Sequence, residues 1–178
     1  SRNRNLYGRK IYKNAYTKVM NPSIVEDFLS KKDFSILKEN LLSADFPWCF
    51  NQGSVQEFDS QYQFVHIFYN NFTPNNYFPL IGKVFEKLNP TSIVRVKANL
   101  NTKTDKIVET GEHVDMYGDG FKSAVLFINN CNGYCRVGNE KIYSKENKLV
   151  MFNSNTKHTG STCTDKSRRI VINFIFTE

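Results

Sequence analysis

The chain has 178 residues, of which 40% are broadly hydrophobic and 14% aromatic. That is enough to bury one core without disulfides, and it excludes wholesale disorder. The formal charge of +7 is uneven: residues 1–20 hold Arg2, Arg4, Arg9, Lys10, Lys13 and Lys18 and no acid, six of the seven excess charges, so the rest of the chain carries only +1. A nucleic-acid partner is therefore disfavoured, because a phosphate-binding surface gathers its cations on the folded domain. Residues 1–20 read as a basic extension and 21–178 as one domain. Cys49, Cys131, Cys135 and Cys163 lack the repeated C-x-x-C spacing of a zinc module and are expected as reduced thiols. No apolar run has the length of a bilayer span. A cytoplasmic protein with no membrane partner is the expectation.

In chain order, Pro22 after Asn21 predicts a helix start, with Ile24, Val25, Phe28 and Leu29 on one side. A second short helix is expected over 34–42, where Leu37, Leu41 and Leu42 recur at helical spacing. Residues 61–68 are rich in Tyr, Phe, Val and Ile and predict a strand. Residues 74–88 place Phe78, Ile81, Val84, Phe85 and Leu88 on one helical face, with Pro90 as a stop. Over 92–100, Ile93, Arg95, Lys97 and Asn99 alternate with Val94, Val96, Ala98 and Leu100, the pattern of a strand with one buried face. The polar segment 101–111 is expected to be a mobile loop bordering a substrate entrance. Further strands are predicted at 122–128, 133–137, 149–152 and 170–176, separated by Asn- and Gly-containing turns. Helices at the front and many short strands behind predict a mainly β sandwich or barrel rather than a Rossmann fold.

The chemistry is carried by His113-Val-Asp115. Alternate residues of an extended segment project to one side, so His113 and Asp115 can reach the same ion, and His158 can close the set from another strand. Two imidazoles and one carboxylate form the three-donor face suited to non-haem Fe(II), leaving coordination positions free. Of the three histidines, His66 sits in Y-Q-F-V-H-I-F and reads as a hydrogen-bonded strand residue. An anionic organic cosubstrate needs a cation at its far end, and a guanidinium grips a carboxylate bidentately. Arg168 and Arg169 enter the run R-I-V-I-N-F-I-F on opposite faces, and periodicity leaves both open, since a bulge would exchange them.

Together, R-V-K-A-N-L, H-V-D-M-Y, F-N-S-N-T-K-H-T-G and R-R-I-V-I-N-F-I-F resemble the Fe(II)/2-oxoglutarate-dependent dioxygenase family, in particular compact prolyl-4-hydroxylase-like and phage-associated members. The resemblance covers roughly residues 92–176. It implies a double-stranded β-helix, or jelly roll, with supporting N-terminal helices. It implies His113, Asp115 and His158 as iron ligands and Arg169 as the preferred binder of the distal 2-oxoglutarate carboxylate, with Arg168 as the alternative. Val125, Phe127, Asn99 and Asn173 are implied beside the cosubstrate, while the hydroxyl residue often found two positions after the arginine is Val171 here. Tyr117 is read either as a substrate-orienting residue or as a surface tyrosine, and Cys163 as a loop thiol. The implied reaction uses Fe(II), 2-oxoglutarate and O2 to hydroxylate a C–H bond of a peptide or small molecule, peptidyl proline among them, releasing succinate and CO2. The alternative is a jelly-roll protein that binds metal or a dicarboxylate without turnover.

Overall fold

The computed structural model describes residues 21–53 and 62–178; the expected basic extension lies outside the described residues. In chain order the elements are β1 (Ser23–Val25), α1 (Lys31–Leu42), β2 (Cys49–Asn51), β3 (Gln63–Asn70), β4 (Thr73–Pro74), a 3-10 turn (Phe78–Ile81) running into α2 (Gly82–Leu88), β5 (Ser92–Thr102), β6 (Phe121–Phe127), β7 (Tyr134–Val137), β8 (Glu140–Tyr143), β9 (Leu149–Asn153), β10 (His158–Gly160) and β11 (Arg168–Thr177). The larger antiparallel sheet has the order β1-β9-β6-β11-β5-β3-β2, with β4 paired to β3, and the smaller one β10-β7-β8. Two facing antiparallel sheets with this crossing connectivity form the jelly roll.

β11 lies at the centre of the larger sheet, between β5 and β6. Its alternation sends Ile170, Ile172, Phe174 and Phe176 to the outer face, where they are almost fully buried with Leu37 and Leu41 of α1 and Val84 of α2. Each such side chain contributes about 1.5–3 kcal/mol relative to exposure. The inner face of the same sheet gives a second, smaller cluster in which Val125, Phe127, Val150, Phe152 and Val171 meet Cys135, Val137 and Ile142 of the smaller sheet. The sheet is thus covered on both sides, by helices outside and by three short strands inside.

α1 starts three residues before the expected 34–42 because a cap extends it: the Ser30 hydroxyl accepts the Asp33 N–H at 3.1 Å, and Phe34, Leu37 and Leu41 supply its buried face. The helix expected from Pro22 is instead strand β1, with Ile24 opposite Val150 on β9. Local preferences act together with that distant pairing. The β-branched pair Ile24-Val25 favours an edge strand, and Asp27 in the left-handed region (φ 48°) stops any helix before Phe28 and Leu29 turn into the core. The helix expected over 74–88 begins only at Phe78, because Thr73–Pro74 pairs with the end of β3.

Two asparagines fix the layers. Asn147, at φ 61°, donates to the Leu29 carbonyl at 2.9 Å and accepts the Leu29 N–H at 2.8 Å. Asn129 does the same across Arg169, donating to the Arg168 carbonyl at 2.9 Å and accepting the Ile170 N–H at 2.8 Å. Each replaces two ladder bonds where no strand is available. Asn147→Gly keeps the left-handed backbone accessible and removes only the clamp, so we expect it to lower unfolding stability by about 1–3 kcal/mol in urea titrations.

Candidate active site

Between the sheets lies a cavity of about 90 Å³ bordered by the inner faces of β5, β11 and β6 and by the strands carrying His113 and His158. One water needs roughly 10–15 Å³, so a small organic molecule can be seated here. His113 and His158 face each other as a hydrogen-bonded antiparallel pair, each N–H reaching the other's carbonyl at 3.0 and 2.9 Å. That pairing puts both rings on one side, with centroids 4.3 Å apart. Asp115 is brought to them by its backbone N–H, which donates to the Ser154 carbonyl at 3.0 Å. The donor atoms of His113, Asp115 and His158 all lie within 4.8 Å of one another.

The tautomers follow from the partners. Nδ1 of His113 meets the Gly111 carbonyl and Nδ1 of His158 the Thr156 carbonyl, both at 3.0 Å. A carbonyl only accepts, so each neutral ring carries its proton on Nδ1 and presents the Nε2 lone pair. Nε2 of His158 is 3.5 Å from Asp115 Oδ2. The Asp115 side chain is 2% exposed, with Oδ2 accepting from Ser123 Oγ at 2.6 Å and Asn173 Nδ2 at 3.3 Å, and Oδ1 accepting from Arg95 at 3.3 Å. Burial pushes its pKa up, but the combined pull of His158, Ser123, Arg95 and Asn173 wins and holds it below the ordinary value. Burial is the largest influence on His158 and lowers its pKa despite Asp115. The two shifts favour a neutral His158 beside an ionised Asp115 at neutral pH, the protonation state a divalent metal requires of these two donors.

The arginine register is settled by the ladder. β11 pairs with β5 without interruption from Arg168 opposite Thr102 to Ile175 opposite Arg95, and the one irregularity falls after Ile175. Arg169 therefore shares the inward face with Val171 and Asn173; it is 2% exposed, while Arg168 is exposed. Arg169 Nε donates to Ser144 Oγ at 2.8 Å and Nη1 to the Ser161 carbonyl at 3.3 Å. Among the described residues no carboxylate lies within ion-pair distance of it. Burial lowers its pKa.

Val125, Asn99 and Asn173 line the cavity as anticipated for inward-facing strand positions, but Phe127 does not. Its ring instead packs under the guanidinium, 5.5 Å from it, as part of the floor. Tyr117 is 85% exposed and away from the cavity lining. The segment 101–111 is not a free loop. Asn101 and Thr102 continue β5, and the remainder is bonded along β10: Thr110 N–H reaches the Gly160 carbonyl, Thr162 N–H the Val108 carbonyl and Thr104 N–H the Cys163 carbonyl at 2.9–3.1 Å. Arg136 grips Glu109 through Nε and Nη2 at 3.3 and 2.9 Å. Thr104, Thr110 and Glu109, in a segment expected to be a mobile loop, satisfy this seam.

Sequence reasoning missed Arg95 and Lys97 as cavity residues. They alternate in step with Asn99, which the resemblance implied beside the cosubstrate, but periodicity alone does not show that their charged side chains point inward as well. It also missed Gly133, where a Cβ would lie 2.6 Å from both Arg169 Cδ and the Thr162 carbonyl oxygen. His66 is the hydrogen-bonded strand histidine expected, its ring nitrogens 2.9 Å from the Pro47 carbonyl and 2.8 Å from Asn75 Nδ2. All four cysteines are free thiols; Cys163 is buried and burial pushes it up to about 11.

No family model matches the chain, and no curated protein sequence is significantly similar to it. Its fold, by contrast, is shared. A prolyl hydroxylase from Trichoplax adhaerens, solved with a peptide fragment of the hypoxia inducible factor oxygen degradation domain, matches at TM-score 0.67 and 13% identity over 88% of this chain and 83% of that one. A Pseudomonas putida prolyl-4-hydroxylase matches at TM-score 0.59 and 14% identity over 88% and 92%. HygX from Streptomyces hygroscopicus, solved with nickel and 2-oxoglutarate, matches at TM-score 0.60 and 9% identity over 89% and 83%. The fold is thus the double-stranded β-helix found in 2-oxoglutarate- and Fe(II)-dependent oxygenases. Prolyl hydroxylases are among the structures it resembles.

Gly133→Ala is expected to expel the Arg169 side chain from Ser144, visible crystallographically, and to cost about 1–3 kcal/mol of stability. The lowered pKa values of His66 and His158 also have a sign. Each binds fewer protons folded than unfolded below its ordinary value of 6.5, so the metal-free protein should lose stability as pH falls from 7 towards 5. Asp115, lowered from 3.8, contributes only below that window. Urea midpoints in chelator should show the slope, with His158→Gln flattening it.

Proposed function

We propose that the chain is an Fe(II)- and 2-oxoglutarate-dependent dioxygenase that uses O2 to hydroxylate a C–H bond of a peptide or small-molecule substrate. One observation carries the reading: three metal-type donors and a buried arginine without an acidic partner among the described residues open into the same cavity. An unpaired buried cation is costly, and a carboxylate placed against it removes that cost. The donor set fits a divalent iron that keeps positions free for a chelating keto acid. Buried Arg95 Nε, Asn99 Oδ1 and Asn173 Oδ1 lack hydrogen-bond partners within the described residues, as groups reserved for ligands do.

In this reading His113, Asp115 and His158 hold Fe(II), which when bound supplies the oxygen activation that side chains cannot. Gly111 and Thr156 carbonyls keep the two imidazoles in the Nδ1–H tautomer, and Ser123 and Asn173 orient the carboxylate. Arg169, levelled on Phe127 and tied to Ser144, receives the far carboxylate of 2-oxoglutarate. Val125 and Val171 exclude water along its carbon chain, and Asn99 and Asn173 offer polar contacts to its flank. The fold shared with prolyl hydroxylases supports peptidyl proline as one substrate.

With Fe(II) and O2, the wild-type protein should convert 2-oxoglutarate to succinate slowly without substrate, as followed by NMR. Asp115→Ala should weaken metal binding and abolish succinate formation. Arg169→Ala should weaken 2-oxoglutarate binding on the order of 100-fold, about 3 kcal/mol, with Arg168→Ala close to wild type. Metal binding with no affinity for 2-oxoglutarate would instead identify a jelly-roll binding protein without turnover.

A further inference from the structure

Resting on the oxygenase reading above, we infer that the substrate is anionic and that Lys97, supported by Arg95, receives its carboxylate or phosphate group beside the metal. The ladder sets the positions. On β5, Asn101 stands opposite Arg169, Lys97 opposite Asn173 and Arg95 opposite Ile175. Lys97 and Arg95 are therefore at the metal end of the cavity, four and six residues along the strand from Asn101, whereas Arg169 marks the far end. The other neighbour of Lys97 is Ile67 on β3, a 46% exposed apolar side chain on the same inner face.

Charge makes the argument quantitative. The cavity lining holds three side-chain cations, Arg95, Lys97 and Arg169, against one carboxylate, Asp115. Fe(II) and doubly charged 2-oxoglutarate cancel each other, so the loaded site keeps two excess positive charges. Both carboxylates of 2-oxoglutarate are already assigned, one to the metal and one to Arg169. Asp115 is held at Oδ1 by Arg95 at 3.3 Å. Lys97 has no hydrogen bond or ion pair within the described residues, and it is the cation left over. Burial, then Arg95, lowers its pKa to about 8, so most of it is still charged at neutral pH. An unpaired ammonium half-sunk in a cavity wall is unfavourable until an anion meets it, and Ile67 and Val65 beside it suit the carbon body of such a substrate.

The test uses the full chain loaded with Zn(II) and N-oxalylglycine, which fills the Arg169 end. Binding of N-acetylaspartate, methyl phosphate and neutral N-acetylasparagine is then measured calorimetrically. At least one acid should bind at least about tenfold more tightly than the neutral amide, and which acid does so tells carboxylate from phosphate. Lys97→Gln should weaken that acid about tenfold or more, a far greater loss than its effect on N-oxalylglycine, and Lys97→Arg should restore it. Lys97→Met serves if the glutamine variant does not fold. Acids binding no better than the amide, or equal losses of acid and N-oxalylglycine, would overturn the proposal. A wild-type protein that binds no N-oxalylglycine overturns the oxygenase reading and this inference with it.

Discussion

Sealing a guanidinium inside a protein costs several kcal/mol when no carboxylate lies beside it; among the described residues Arg169 has none, and the architecture around it holds that group in place. Asn129 clasps the backbone on both sides of it, Ser144 takes Nε, the Phe127 ring lies beneath, and Gly133 leaves the space a methyl group would fill. None of these contacts neutralises the charge. A hydrophobic residue at this position would avoid that cost, and the anion proposed for the site is what would offset it.

The larger sheet reconciles this polar interior with a stable domain by using its two faces differently. Its outer face carries most of the apolar burial against α1 and α2. The inner face is released from that duty and can afford arginine, lysine, asparagine and a buried carboxylate. The metal donors come from the rim of the smaller sheet, where the 103–113 segment is stitched to β10 by backbone bonds and by Arg136. The apolar scaffold thus lies outside the larger sheet, and the polar and metal-type groups lie between the two sheets.

Much of this was legible in the chain because its periodicities are local. The alternation after Arg169, the helical spacing of Leu37, Leu41 and Leu42 in α1 and the H-V-D tripeptide each report on neighbours within a few residues. What was hidden depended on distant partners. Nothing near Pro22 announces that Ile24 will pair with Val150. The polar run around Glu109 looks solvated until Arg136 arrives from β7, and the charged face of β5 looks exterior until the barrel closes over it. Even the choice between Arg168 and Arg169 needed the register with β5, since two adjacent residues of one strand differ only in which side they face.

Both imidazoles are tethered to carbonyls two residues earlier in their own segments, at Gly111 and Thr156. Their aim is consequently independent of any ion, unlike sites that fold around their metal. A nest whose donors are aimed beforehand fixes ligand type and angle before any occupant arrives, so the choice among first-row divalent cations would rest on that geometry and on local supply rather than on affinity order alone.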